Sequence, residues 1–162
     1  MSITTKGGDG GQTDLLGGTR VSKADPRVAC CGGADELCAA LGLAKSLCDD
    51  KGTQGELEAV QRDLMTLGAE LAGGDPAKGL GEEAVARLEA LVERAGAWTG
   101  FVLPGADPAS AALHLARTVC RRLERELVTA CEEGAGYRPF LLSYVNRLSD
   151  ALYALALCAA AE

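Results

Sequence analysis

From about residue 25 onward the apolar positions recur at helical spacing. Leu37, Leu41, Ala44 and Cys48 are four, three and four residues apart and so share one helix face. Asp25-Pro26 reads as the N-cap and first residue of that helix, and Gly52 after Lys51 as its stop. Thr53-Gln54-Gly55-Glu56 has the form of a capping box. It predicts a second helix with a heptad seam of Leu57, Val60, Leu64, Leu67 and Leu71, closed by Gly73-Gly74-Asp75-Pro76. Glu82 and Glu83 suit the positive end of a third helix, whose apolar face is Val85, Leu88, Leu91, Val92 and Ala95.

A Gly/Pro loop from Gly96 to Pro108 follows. Asp107-Pro108 again pairs an N-cap with a proline, and Leu113, Ala116, Cys120, Leu123, Leu127 and Ala130 form the seam of a fourth helix. Gly134 and Gly136 end it. A fifth runs from about Arg138 to the end, with Leu141, Val145, Leu148, Leu152 and Leu155 facing inward. Short connections between amphipathic helices predict an all-α, five-helix up-down bundle. Residues 1–24 carry no helical period, and no convincing strand pattern appears, so they are expected to form an irregular Gly-rich leader. The whole chain, residues 1–162, reads as one domain: leader 1–24, bundle 25–162.

Composition narrows the function classes. The chain has 162 residues, 48% of them hydrophobic, which suffices for a core and excludes wholesale disorder. Net charge is −7 and aromatics are 4%, so neither a broad basic surface nor a base-stacking platform is available, and no nucleic-acid partner is expected. The longest apolar run, Ala151 to Ala161, is 11 residues, too short for a bilayer. The N-terminus shows no apolar secretory segment, so no membrane partner and a cytoplasmic location are expected. Seven cysteines without a C-x-x-C read as small reduced thiols. Zinc-ligand spacing is missing, and the chain has a single histidine.

Some residues are not required by a core. Arg117, Arg121 and Glu124 fall at i, i+4 and i+7 of the fourth helix, with Arg125 bordering the same stripe. A solvated charged face is the ordinary reading of such a stripe. Arginine concentrated in an acidic chain also suits polyphosphate, because guanidinium forks match phosphate oxygens. Asn146 and Asp150 make a one-turn polar patch on the fifth helix. Asp35 and Glu36 follow Gly32-Gly33 inside the first helix, where each glycine costs roughly 1 kcal/mol relative to alanine. Close approach of a backbone or a ligand is the usual compensation. The leader has the glycines, lysine and hydroxyls of a phosphate cradle but not the P-loop pattern, since Gln12 precedes Thr13. His114, the single histidine, reads as a packing or hydrogen-bonding residue.

Taken in order, these segments resemble one family. Thr5-Lys6-Gly7-Gly8-Asp9 with Gly11-Gln12-Thr13, Arg20-Val21-Ser22-Lys23, Asp25-Pro26-Arg27-Val28 and Asp35-Glu36-Leu37 look like the N-terminal signature of PduO-type ATP:cob(I)alamin adenosyltransferases. Phe101-Val102-Leu103-Pro104-Gly105 resembles that family's F-[IV]-L-P-G loop. Leu113 to Thr118, Arg121-Arg122 with Glu124-Arg125, and Tyr144 to Asp150 continue the match, which is collinear over about residues 4–155.

The resemblance implies a homotrimeric five-helix bundle with active sites between subunits. It implies transfer of the 5′-deoxyadenosyl group of ATP to the cobalt of a corrinoid, giving adenosylcobalamin and triphosphate, with Mg²⁺ accompanying ATP. Thr5, Lys6, Gly8, Asp9, Gly11, Thr13 and Lys23 are then the triphosphate-binding leader. Arg121, Glu124 and Arg125 contact ATP from a neighbouring subunit, and Asn146 completes that site near ribose, phosphate or Mg²⁺. Arg117 pairs with Asp35 across the interface. Phe101 blocks the lower axial face of cobalt, so that four-coordinate cob(II)alamin is reduced to nucleophilic Co(I). An electron-donating reductase and a B12-dependent recipient of the product are the further partners implied.

The chain departs from the family pattern at several points. Gly10 stands where many members have lysine, Cys30-Cys31 and Gly33-Ala34 replace bulkier residues, and Ala106 replaces a second glycine. The end at Glu162 leaves out a tail that many members carry, which bears on corrinoid affinity. A non-catalytic cobalamin carrier is the main competing reading, and the arginine set speaks against it. A di-metal carboxylate bundle would need Glu-x-x-His pairs, and Ala111 occupies the position three before His114.

Overall fold

The computed structural model describes residues 4–96 and 102–160. Five helices dominate it: α1 (Pro26–Leu47), α2 (Lys51–Leu71), α3 (Glu82–Ala95), α4 (Pro108–Glu132) and α5 (Pro139–Ala159). Pairings between them fix their directions. Gln61 of α2 donates to the Cys38 carbonyl of α1, and Gln54 to that of Cys48, so α1 and α2 are antiparallel. Glu126 and Leu123 of α4 meet Gly33 of α1, while Arg122 pairs with Glu36, so α4 is antiparallel to α1. Ser110 donates to the Ala156 carbonyl and Cys120 to that of Val145, which sets α5 antiparallel to α4. Arg87 pairs with Asp63 and Arg94 with Glu56, which sets α3 antiparallel to α2. The helices therefore alternate up and down, as the periodicity predicts.

The seam residues of α4 are all buried, as are those of α1 and α2. On α3, Leu88 and Leu91 are buried and Val85 and Val92 only partly so, while Ala84 takes the remaining inward position. Leu155 of α5 is likewise only partly buried. Among the described residues no helix is long and apolar enough to cross a membrane.

The structure departs from the sequence expectations in several places. The leader is not wholly irregular: β1 (Gln12–Asp14) and β2 (Arg20–Ser22) form an antiparallel hairpin with Thr13 opposite Val21. Two strands of three residues are too short for alternation to show in the sequence. Gly52 does not stop α1. It lies in the first turn of α2, which Asp50 caps by accepting from the Thr53 amide at 2.6 Å. The Thr53-to-Glu56 capping box is therefore not used, because an aspartate three residues earlier reaches the free amides first. Gly33 is approached by the Glu126 and Leu123 side chains of α4, not by a backbone or a ligand, and the end of the flexible Glu126 side chain would have to shift to admit a Cβ. Gly32 has nothing within 4 Å of such a Cβ, and nothing in the fold requires it.

Buried polar nodes stitch the apolar layers. Tyr144 is fully buried, and its hydroxyl donates to Asp63 Oδ2 at 2.8 Å. Asp63 also pairs with Arg87, so α2, α3 and α5 meet at one carboxylate. Burial pushes the Asp63 carboxyl above its ordinary value, against the opposing pull of Tyr144 and Arg87. Tyr144→Phe is expected to lower stability by about 1–2 kcal/mol, read as a lower urea midpoint at unchanged slope, because it removes one buried hydrogen bond and little volume.

Candidate active site

The leader begins at a tight turn. Lys6 adopts φ 59, and the Gly11 amide donates to the Gly8 carbonyl at 3.1 Å. Gly11 itself has φ +76, a conformation a Cβ disfavours, and leads directly into β1. The hairpin then returns the chain so that the Lys23 amide donates to the Gly11 carbonyl at 2.9 Å. Lys23 Nζ packs over Gly8, where an added Cβ would lie only 2.8 Å from it. Of the expected phosphate residues, Gly8, Gly11 and Lys23 thus meet in one place. Thr5, Lys6 and Asp9 are exposed beside them, and Thr13 is half-buried in β1.

Arg20, which is not among the expected site residues, holds this arrangement. Its guanidinium donates to the Gly7 carbonyl at 2.6 Å, to Gln12 Oε1 at 3.2 Å and to Asp14 at 3.2 Å. Its sequence signal was only its place next to Val21 and Lys23. The role depends on a hairpin the sequence did not reveal.

On α4 the stripe behaves as its spacing predicts. Arg121 pairs with Glu124 at 3.4 Å, and Arg125 Nη1 donates to the Arg121 carbonyl at 3.0 Å. Arg121 and Arg125 are exposed, whereas Arg117 is half-buried. Arg122 turns the other way, to Glu36 and Glu126. Arg117 and Arg121 line a cavity of about 330 Å³ with His114, Ser149, Asp150 and Tyr153, and Val102 and Pro104 of the preceding loop close one side. Phe101 lies outside the described residues. Asn146 is exposed on α5, one turn before Asp150.

Asp35 and Arg117 do not meet within the chain. Asp35 is exposed in a groove between α1 and α2 with Val28, Leu64 and Met65, while Arg117 lies between α4 and α5. Nor does any hydrogen bond or ion pair join Lys6 through Lys23 to Arg121, Glu124, Arg125 or Asn146 within the described residues. Among the described residues no hydrogen bond or ion pair of one copy joins the leader or Asp35 to the α4/α5 cavity.

Over residues 3–159 the chain matches the cobalamin adenosyltransferase family. It belongs to that family. The corrinoid adenosyltransferase of Citrobacter freundii is 44% identical over 95% of this chain and 92% of its own length. The corrinoid adenosyltransferase PduO of Salmonella typhimurium is 43% identical over 96% of this chain, which spans about half (49%) of that relative. Among solved structures, a variant PduO-type ATP:corrinoid adenosyltransferase from Lactobacillus reuteri, complexed with cobalamin and ATP, superposes with a TM-score of 0.89 at 34% identity. That superposition covers 99% of this chain and 93% of that one.

In this family member His114 lines the cavity, and Cys120 of the same helix is buried outside its lining. His114 is only 4% exposed, and its Nδ1 has no hydrogen-bond partner. Burial first, and the Arg117 charge second, hold its pKa below the ordinary 6.5, so it is neutral at physiological pH. Cys120, one turn beyond Ala116, is pushed up to about 12, first by burial and then by Glu124. Its thiol stays protonated and donates to the Val145 carbonyl, which makes it a structural group. Among the described residues no cluster of three His, Cys, Asp or Glu side chains is placed to hold a metal.

A base whose folded pKa is depressed binds fewer protons folded than unfolded below 6.5, so stability falls as pH drops through that value. His114 is the chain's single histidine, facing Arg117, Arg121, Asp150 and Tyr153. The melting temperature is expected to decline between about pH 7.5 and 5.5, and His114→Gln to flatten that slope. An unchanged slope in the variant would assign the decline to other groups.

Proposed function

We propose that this chain is an ATP:corrinoid adenosyltransferase that works as a homotrimer. The observation that carries the reading is the α4/α5 cavity, in which Arg117 and Arg121 face the loop that resembles the family's corrinoid-side motif. A charged wall and a loop wall around one space suit a reaction between a polyphosphate and a large macrocycle. The site residues that no contact joins within one copy are brought together by the next copy. The leader of one subunit and Arg121, Glu124 and Arg125 of its neighbour enclose ATP, and Arg117 meets the neighbour's Asp35.

In the proposed reaction the cobalt(I) electron pair attacks the 5′ carbon of ATP. The cobalt–carbon bond forms as the carbon–oxygen bond breaks, and triphosphate leaves with the bonding pair. Cobalt(I) is itself a strong nucleophile, so the protein supplies no base or nucleophile of its own. Lys6, Lys23, Arg121 and Arg125 stabilise the charge that grows on the triphosphate, and the walls orient the two substrates and exclude water. Phe101 displaces the lower axial ligand of cob(II)alamin, which makes reduction to cobalt(I) accessible to a cytoplasmic reductase. Mg²⁺ would accompany the triphosphate and offset part of its charge, and Asn146 would complete the site near ribose, phosphate or Mg²⁺.

Anaerobic mixing with chemically reduced cob(I)alamin, ATP and Mg²⁺ is expected to give the adenosylcobalamin spectrum at a protein-dependent rate. Binding of ATP and adenosylcobalamin without turnover would overturn the reading in favour of a carrier. Arg121→Ala is expected to lower kcat/KM for ATP by about 10²-fold, as loss of a charge-stabilising donor does. Phe101→Ala should depress turnover from cob(II)alamin far more than ATP affinity. An unchanged rate from cob(II)alamin would remove Phe101 from its assigned role.

A further inference from the structure

Arg117 is the member of the α4 stripe whose orientation the backbone does not explain. It makes no ion pair within the described residues, and its Nε is buried without a hydrogen-bond partner. A guanidinium on four rotatable bonds, half-buried and unpaired, has many rotamers to choose from. What holds it is aromatic. Its Cζ lies over the Tyr153 ring of α5, 5.7 Å from the centroid. The Tyr153 ring is in turn braced by His114, whose centroid is 5.7 Å away at an interplanar angle of 63°. His114 and Arg117 are three residues apart on α4, so both reach the same ring from one helix face.

We infer that Tyr153 is a positioning residue for the adenosyl-transfer site, acting through Arg117: its ring face fixes the guanidinium plane at the wall of the α4/α5 cavity. This inference rests on the function proposed above. The chemistry supports it in two ways. A planar, weakly hydrated guanidinium gains from lying over an aromatic face, and the gain grows as water is excluded. A neutral His114 can brace the ring without setting a second positive charge against Arg117, and burial keeps it neutral. The platform thus orders a cation without using up its hydrogen-bonding edge, so the N–H groups stay available for an acceptor outside the chain. In the proposed trimer that acceptor is the Asp35 carboxylate of the next copy, which the pre-set guanidinium meets.

The test is a double-mutant cycle in kcat/KM with cob(I)alamin and ATP. Tyr153→Leu is expected to lower kcat/KM by about fivefold, the scale of a partly desolvated cation–π contact. Tyr153→Phe, which keeps the ring, is expected to restore it to within about twofold. In an Arg117→Gln background Tyr153→Leu should change kcat/KM by less than about twofold, because the group through which it acts is gone. The same fivefold loss in that background would overturn the inference, as would a Phe variant as impaired as the Leu one. The same cycle in unfolding equilibria reads the contact without catalysis. Absence of coupling there would overturn the inference even in an inactive protein, whereas a wild type that binds both substrates without turnover would sink the adenosyltransferase reading alone.

Discussion

The structure depends on one helix having two incompatible faces. α4 must bury Leu113, Ala116, Cys120, Leu123, Leu127 and Ala130 against α1 and α5 while keeping Arg121 and Arg125 at the surface. The hydrophobic gain of burying such a seam far exceeds any electrostatic preference of the stripe. Packing therefore decides the rotation of α4 about its axis, and the arginines go where packing sends them. Gly33 lets α1 approach closely enough for Leu123 and Glu126 to seat against it. The placement of the chemical groups follows from this fit.

Direction and register come from polar atoms buried between the layers. Apolar seams decide which faces meet, and buried polar atoms add a directional constraint, because an unpaired buried donor or acceptor costs about 1–3 kcal/mol. Tyr144 on Asp63, Ser110 on the Ala156 carbonyl and Cys120 on the Val145 carbonyl each have one satisfactory partner, so each pins one helix against another. Arg138, at the N-cap of α5, adds a paired contact with the buried Glu70 at 2.6 Å and donates to the Leu80 carbonyl. The start of α5 is thereby tied to the end of α2 and to the connection before α3.

The leader is organised differently, by backbone turns and one arginine in place of a core. Of the residues in its hairpin strands, only Val21 is buried. Its shape comes from Gly11 at positive φ, the Lys23-to-Gly11 amide bond and the three-way contact of Arg20. The Leu16 amide donates to the Ala72 carbonyl at the end of α2, which fastens the hairpin tip to the bundle.

The sequence by itself determined the helices, their caps at Asp25 and Asp107, their inward faces, the common face of Arg117, Arg121 and Glu124, and the family. These properties are set by spacings within a few residues, and helical geometry turns such spacings into faces with no reference to the rest of the chain. It could not show the β1–β2 hairpin, because two three-residue strands carry too few alternations to register. It misjudged the start of α2, because competing caps at Asp50 and Thr53 are settled by which carboxylate reaches the free amides. Only the tertiary structure decided that Asp35 and Arg117 lie on different faces of one copy, that Lys23 closes over Gly8, and that Tyr153 and His114 hold Arg117. Those relations join residues 15 to more than 80 positions apart in the chain, and contacts at that distance are fixed by which buried faces fit together.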